Sequence, residues 1–395
     1  MAENISDVNE VKIEALDTFL KEFGEEATHC VCAPGRVNVI GEHTDYNEGF
    51  VLPMALPMVT VIAGKPNGTN ICTIISASSA GTMSVSKAEF DISEPAAIKP
   101  GEPKWANYVK GCIVNFPNAL AGFKAVVIST VPVGAGLSSS AALEVATYTF
   151  LEAITGQQAS DPVQKAISCQ KAEHDFAGVP CGIMDQFISV MGIDGHALLL
   201  DCRDKSVIQI LMENLKDHVF LITNSNSPHK LSSSAYRDRR DACFEAAKKL
   251  GKNSLREVSL EDIKTLEKQG VSKVTINRVR HVINENLRTQ EAMKALQTGD
   301  YKRVGELMNE SHDSLRENYE VSSPELETLV NTARSVKGVL GSRLTGAGFG
   351  GCTITLLKED CVSQVINTIK ETYTGKATFY MAKPSAGARQ LDCHR

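Results

Sequence analysis

The sequence predicts an α+β fold divided into two domains. Helical and strand periodicities are mixed along the chain without strict alternation, which favours α+β layers over a doubly wound sheet. The 395 residues exceed what one hydrophobic core organises, and two domains is the expected count. A hydrophobic fraction of 43% against 22% charged residues is ordinary for a soluble globular chain.

Taken in order, Ile13, Leu16, Phe19, Leu20 and Phe23 recur at helical spacing and predict an amphipathic helix over residues 11–23, ending at Gly24. Strands are predicted near 30–34, 50–64 and 71–76, with the turn signal Pro66-Asn67-Gly68 between the last two. Residues 93–104 carry three prolines and a glycine and read as a loop. The β-branched run 124–131 leads into a glycine-serine turn and then the helical pattern 141–153. Another helix is predicted over 162–177, strands over 196–200 and 218–223, and helices over 232–250 and 273–297. Residues 337–345 and 352–358 read as strands flanking a glycine loop. There is no repeat and no compositional break. The domain boundary is placed near 215–225, giving units 1–220 and 221–395.

Several function classes are excluded by composition. A net charge of -6 and a pI near 5.9 give no electrostatic footprint for nucleic acid or an anionic membrane. Residues 1–7 are polar and acidic, unlike a signal peptide, and no run approaches the roughly eighteen apolar residues of a membrane span. Eleven scattered cysteines, an odd number, read as reduced thiols in a cytoplasmic protein. Without a Cys-x-x-Cys pair or histidines at ligand spacing, a structural zinc is not expected.

Three segments carry chemistry. The first, Gly35-Arg36-Val37-Asn38-Val39-Ile40-Gly41-Glu42-His43-Thr44-Asp45-Tyr46-Asn47, gathers Arg36, Glu42, His43 and Asp45 among glycines and short hydrophobes. Carboxylates accept hydrogen bonds from hydroxyls while Arg and His donate them, so the set suits a polyhydroxyl ligand. A polar surface loop after a buried strand is the plain alternative. In the second, Val131-Pro132-Val133-Gly134-Ala135-Gly136-Leu137-Ser138-Ser139-Ser140-Ala141-Ala142, a strand turns tightly into a helix. That layout aims free amides and a helix dipole at one spot, an anion site. The ending is neither a Walker loop nor Gly-x-Gly-x-x-Gly, and a serine N-cap is the alternative.

In the third, Leu344-Thr345-Gly346-Ala347-Gly348-Phe349-Gly350-Gly351-Cys352, four glycines fall within six residues. Such density marks close approach to a ligand or to another backbone, or else a flexible hairpin. Between the second and third lies Asp185, a carboxylate in the otherwise apolar run after Gly182. With a cation nearby it suits a general base for a hydroxyl nucleophile; otherwise it is a helix N-terminal residue bonded to amides. Glu173, upstream on a helical pattern, is a metal ligand or merely solvated.

These motifs, in this order and spacing, resemble the GHMP kinases, which include galactokinase, homoserine kinase, mevalonate kinase and phosphomevalonate kinase. Residues 35–53 look like the galactokinase signature nearly residue for residue, and similarity runs from about residue 12 to the C-terminus. It includes Trp105-Ala106-Asn107-Tyr108-Val109-Lys110-Gly111 and Pro180-Cys181-Gly182-Ile183-Met184-Asp185-Gln186. The resemblance implies an N-terminal domain like the second domain of ribosomal protein S5 and a ferredoxin-like C-terminal domain, with the active site between them. It implies transfer of the γ-phosphoryl group of MgATP to the C1 hydroxyl of α-D-galactose, opening galactose catabolism. Arg36 and Asp185 match the catalytic pair: Asp185 would accept the hydroxyl proton, while Arg36 would orient the hydroxyl, keep Asp185 charged and offset transition-state charge.

By the same resemblance Glu42, His43, Asp45 and Gly182 match sugar-binding positions, and Tyr236 the tyrosine that closes the sugar pocket. Gly134, Gly136, Ser138, Ser139 and Ser140 match the phosphate loop, with Ser139 and Glu173 as Mg2+ neighbours. Trp105 falls in the segment lining the adenine pocket, or is a structural Trp. Val39, Ala135 and Ala347 depart slightly from the family pattern without touching an assigned residue. The partners expected are galactose and ATP, with no nucleic acid and no membrane, and the chain is expected to be a monomer or at most a weak homodimer. Two rival readings remain: an N-acetylgalactosamine kinase, and a sugar- and ATP-binding transcriptional sensor without turnover. Thr44-Asp45-Tyr46-Asn47 follows the galactokinase form, and the unbroken segment 136–142 argues against the sensor.

Overall fold

The structure, a computed structural model, describes residues 1–78, 86–212, 215–227 and 232–394. Helix α1 (Val8–Phe23) begins at a capping box between Asp7 and Glu10 and stops at Gly24, whose φ of 69° gives the left-handed C-terminal turn. β1 (His29–Ile40) and β2 (Phe50–Pro66) form the long antiparallel pair at the centre of the first sheet. β3 (Ile71–Ser78), β4 (Ser86–Asp91), α2 (Ala106–Val114) and β5 (Phe123–Ser129) follow. α3 (Ser139–Thr155), α4 (Pro162–Ala172), α5 (Met184–Met191), β6 (His196–Asp201) and β7 (Val207–Leu211) complete this unit.

With β12 (Arg389–Leu391) added at one edge, the strand order is β12-β1-β2-β5-β3-β4, with β6 pairing β2 and β7. β12 comes from the far end of the chain and pairs with β1 at Cys30, Val31 and Cys32. α1 covers one face, where Leu16 and Phe19 meet Val61 and Val126. α2 and α3 cover the other, where Ile113, Val145 and Phe150 meet Ile62, Ala125 and Val127.

β8 (His218–Asn224) opens the second unit, followed by α6 (Ser232–Lys249), α7 (Asp262–Lys268), α8 (Lys273–Gln297), α9 (Tyr301–Glu317) and α10 (Pro324–Arg334). β9 (Val339–Leu344), β10 (Cys352–Lys358), α11 (Val362–Thr372) and β11 (Thr378–Ala382) then build an antiparallel sheet in the order β11-β8-β10-β9. α10 and α11 pack Leu329, Val365 and Ile369 on one face of it. The other face, through Phe220, Ile222 and Ile354, joins Met54 and Leu56 of β2 and Leu307 of α9 in one shared core. Among the described residues no helix is long and apolar enough to cross a membrane. The 220/221 division expected from the sequence would cut β8, whose residues 218–220 pair in the second sheet, so we propose the division just before His218, with β12 as the segment that crosses back.

Two local results depart from the sequence reading. The strand expected over 30–34 continues to Ile40 and is buried from Cys30 onward, so Arg36 and Asn38 lie on a core strand rather than on a loop. It breaks register between Pro34 and Arg36 and again between Asn38 and Ile40, and such irregularities re-aim side chains. The helix expected over 162–177 ends as an α-helix at Ala172 and continues as a π turn, Glu173–Ala177.

Candidate active site

The end of β1 reaches the seam between the two units, and the turn after it requires glycine. Gly41 has φ +98°, and a Cβ there would meet Phe50 O at 2.7 Å. The next residues line a cavity of about 340 Å³, within the roughly 300–1,000 Å³ of small-molecule sites. Arg36, Glu42, His43, Asp45, Glu173, Gly182, Asp185 and Tyr236, drawn from both units, all face it.

Arg36 donates from Nε to Asp185 Oδ1 at 2.7 Å and from Nη2 to Oδ2 at 3.0 Å, a bidentate pair. Its Nη1 donates to Gly136 O at 2.6 Å, tying the pair to the glycine-serine turn. Burial works against the Arg36 charge, but Asp185 and Glu42 outweigh it and raise the guanidinium pKa. Ser138, held at φ +62°, donates its hydroxyl to Asp185 Oδ2. Ser138 is the N-cap of α3 but makes no side-chain capping bond. Its hydroxyl goes to the carboxylate instead, and the simple capping alternative fails. Asp185 does lie in the first turn of α5, yet its partners are these side chains.

The polyhydroxyl-type residues are gripped from the C-terminal side. Glu42 Oε1 accepts from Gly346 N at 2.7 Å and from Thr345 Oγ1 at 3.3 Å, and lies 3.2 Å from Arg343 Nη2. Those contacts leave Oε2 as the oxygen they do not engage. The His43 ring is used at both nitrogens: Nε2 donates to Ala347 O at 3.0 Å, which fixes the tautomer, and Nδ1 accepts from Tyr46 OH at 2.6 Å. Tyr46 in turn accepts from Tyr319 OH at 2.8 Å, and Tyr319 meets Cys243 Sγ at 3.2 Å. Burial depresses the His43 pKa to about 3, so the ring is neutral. Burial, and then the neighbouring Asp185 charge, push Asp45 up to about 7. Tyr236 sits with its ring centroid 5.5 Å from Tyr46 and 5.8 Å from His43.

Glu173 Oε2 accepts from Gln186 Nε2 at 2.9 Å and from Cys181 Sγ at 3.3 Å. The same amide nitrogen donates to the fully buried Glu144 at 3.0 Å. Burial, then the Asp185 charge, raise the Glu173 pKa, against the opposing influence of Cys181 and Ser140. Among the described residues no cluster of three His, Cys, Asp or Glu side chains has a ready metal geometry. Trp105 stands apart, half-buried, its Nε1 donating to Ser86 Oγ at 2.9 Å. The three glycine-bearing segments do converge. A Cβ on Gly346 would lie 3.3 Å from Gly136 O, so the third cluster abuts the glycine-serine turn.

This geometry can be set beside known proteins. Residues 17–66 match the family model of the galactokinase galactose-binding signature, residues 107–193 the GHMP kinases N terminal domain, and residues 292–375 the GHMP kinases C terminal. The chain is 51% identical to galactokinase of Canis lupus familiaris over 384 residues, 97% of either chain. It is 50% identical to the Homo sapiens galactokinase over 386 residues, again 97% of each. The chain belongs to the galactokinase family. It is an ATP-dependent sugar kinase of two-domain GHMP architecture. Among solved structures, Lactococcus lactis galactokinase complexed with galactose superposes with a TM-score of 0.87 at 35% identity, covering 95% of this chain and 98% of that one. Methanococcus jannaschii mevalonate kinase, at 18% identity and a TM-score of 0.63, shares the fold.

Within the galactokinase frame several residues of the site were not singled out from the sequence. Tyr46 lay inside the first motif, but nothing local announced its link to Tyr319. Nothing in the expected strand 337–345, which also holds Lys337, marked Arg343 out as a residue of the site. Gly182 shows why its position is small: a Cβ would fall 1.6 Å from Asp45 Oδ2. Gly182→Ala must displace Asp45, and a galactose KM raised by ten-fold to about a hundred-fold is expected. The ATP KM should stay within about two-fold, and steady-state kinetics with each substrate varied in turn check this; an unchanged galactose KM contradicts it.

Proposed function

We propose that the chain transfers the γ-phosphoryl group of ATP to the C1 hydroxyl of α-D-galactose, yielding galactose 1-phosphate and ADP as the committing step of galactose catabolism. The observation that carries this reading is the Arg36–Asp185–Ser138 set, where the cavity meets the glycine-serine turn. An ionised carboxylate offers roughly four lone-pair sites. Three are taken by Arg36 Nε, Arg36 Nη2 and Ser138 Oγ, which leaves one on Oδ1 for the substrate hydroxyl. The C1 oxygen forms its bond to the γ-phosphorus as the bond to the ADP oxygen breaks, and the hydroxyl proton passes to Asp185. Arg36 stays in place to offset charge gathering on the phosphoryl oxygens.

On the sugar side, Glu42 Oε2 and Asp45 accept hydroxyl donors, Gly182 leaves room beside Asp45, and Tyr236 walls the pocket. His43 contacts the sugar through its backbone amide, since its ring nitrogens are occupied. Gly134, Gly136, Ser138, Ser139, Ser140 and the start of α3 receive the phosphates. Trp105 offers only a ring face toward adenine, its indole nitrogen being committed to Ser86. A divalent cation suits the charge here: Glu173 is buried within the field of the Asp185 and Glu144 carboxylates, and Mg2+ between it and the ATP phosphates would offset that repulsion. Glu173 with Ser139 or Ser140 would hold it. When bound, Mg2+ supplies charge neutralisation on the β- and γ-phosphate oxygens. Eleven free cysteines support a cytoplasmic location, and we take the active form to be a monomer or at most a weak homodimer.

ADP release measured with galactose, N-acetylgalactosamine, glucose and mevalonate tests the assignment. Galactose is expected to turn over best; protein that binds ATP and galactose without releasing ADP would overturn the enzyme reading in favour of a sensor. A pH effect follows from Asp45. Sugar hydroxyls donate best to the ionised form, so the galactose KM should fall by up to about ten-fold from pH 6 to pH 8. A raised folded pKa means that the sugar-free folded state holds the proton more tightly. This group's contribution to stability therefore declines as pH rises from about 4 to about 7. Asp45→Asn should flatten the KM profile, and a profile of unchanged slope in that variant contradicts the assignment.

A further inference from the structure

The turn that carries Glu42 and His43 is held from beneath by α8. Glu285 is fully buried, and its Oε1 accepts from three donors: Gly41 N at 3.1 Å, Glu42 N at 3.2 Å and Ser311 Oγ at 2.6 Å. Its Oε2 accepts from Arg288 Nε at 2.7 Å. One turn earlier on the helix, fully buried His281 donates from Nε2 to Glu42 O at 3.1 Å, while Nδ1 pairs with Ser314 Oγ at 2.8 Å. Burial alone would raise the Glu285 carboxyl, but Arg288, His281 and Arg343 outweigh it and hold the pKa down to about 2.

A buried carboxylate is costly unless each oxygen is used. Here one oxygen is spent on two consecutive backbone amides belonging to the sugar turn, 244 and 243 residues away in sequence. The peptide planes on both sides of Glu42 are thereby fixed, from the Gly41 amide to the Glu42 carbonyl. Neither the glycine-serine turn nor Asp185 touches Glu285 or His281 in this arrangement.

We infer that Glu285 is a positioning residue for the sugar: it acts through the Gly41 and Glu42 amides to preset Glu42 and His43, and sets galactose affinity without entering the chemistry. This rests on the assignment of Glu42 and His43 to galactose. Two variants separate reach from charge. Glu285→Asp keeps the charge but is one methylene too short for the amides. Glu285→Gln keeps the length and an oxygen for them, and gives up the pairing with the largely buried Arg288, a cost that falls on stability rather than on the sugar turn.

Galactose and ATP affinities are measured by calorimetry, which needs no turnover, alongside KM and kcat. Protein concentration is normalised to nucleotide-binding stoichiometry. Glu285→Asp is expected to raise the galactose Kd and KM by about ten-fold or more, the factor one charge-assisted hydrogen bond carries, with ATP Kd and kcat within about three-fold. Glu285→Gln is expected to stay within about three-fold of the parent for every constant. The inference is overturned if Glu285→Asp leaves galactose affinity intact. It is equally overturned if galactose and ATP constants worsen together, or if Glu285→Gln loses ten-fold in galactose affinity. The Gln variant, isosteric with the parent, decides the matter even should the Asp variant not fold. Failure of the parent protein to turn over galactose, with its binding intact, would instead count against the proposed function.

Discussion

Asp185→Asn should lower kcat by about 10³-fold while nucleotide binding survives. The variant is isosteric, so the loss would come from chemistry. An amide has one accepting oxygen, whereas Arg36 presents two donors to two carboxylate oxygens and Ser138 adds a third. Whichever way the amide turns, its NH2 group confronts a guanidinium or hydroxyl donor. The site then loses its proton acceptor and the restraint on Arg36 together. General-base contributions of about 10²–10⁴ set the scale. ADP release at saturating galactose and ATP, with calorimetry of a non-hydrolysable nucleotide, is the measurement. A kcat within ten-fold of the parent would refute the role given to Asp185.

The largest stability effect should come from Arg343→Met. Arg343 is fully buried on β9 and donates from Nη1 to Asn38 O at 3.0 Å and Val39 O at 3.1 Å, while Nη2 faces Glu42. Met fills much the same volume, so the cavity cost is small. What remains is the buried Glu42 carboxylate without its cation, and removing one partner of such a pair costs about 3–5 kcal/mol. The urea midpoint should fall accordingly, and saturating galactose should recover little of it. Pairing the change with Glu42→Gln should restore part of the loss, because the orphaned charge is gone. Strictly additive losses would show that the two residues are not coupled.

Much of this arrangement was legible in the sequence, and the reason differs by element. α8 reads over the 273–297 expected for it because a long amphipathic helix repeats its apolar period many times. The glycine-serine turn was legible because strand, small residues and helix follow one another directly. α5, eight residues long, is too short for a period to declare itself, and α9, α10 and α11 were not anticipated. β1 was cut short because Arg36 and Asn38 look foreign to a core strand. They belong there because Asp185, Gly136 and Thr345 come from elsewhere, and Gly41 from the turn just ahead, to receive them.

The same division holds for the site. Arg36, Glu42, His43, Asp45 and the glycine-serine turn could be picked out as a polar set beside an anion-binding turn, since side-chain type and short spacing are properties of the chain itself. The sequence alone thus determined the α+β class and the residue types of the cleft that we propose for sugar and phosphates. Tertiary structure decided which nitrogen of His43 is free (neither), which oxygen of Glu42 is held by the second unit, and which serine reaches Asp185. It alone revealed Glu285, His281 and Arg343 beneath the turn that carries Glu42 and His43. A hydrogen bond is fixed by distance and direction between atoms, and those are set only when segments 47 to 304 positions apart, as for Ser138 with Asp185 and Gly346 with Glu42, are packed against each other.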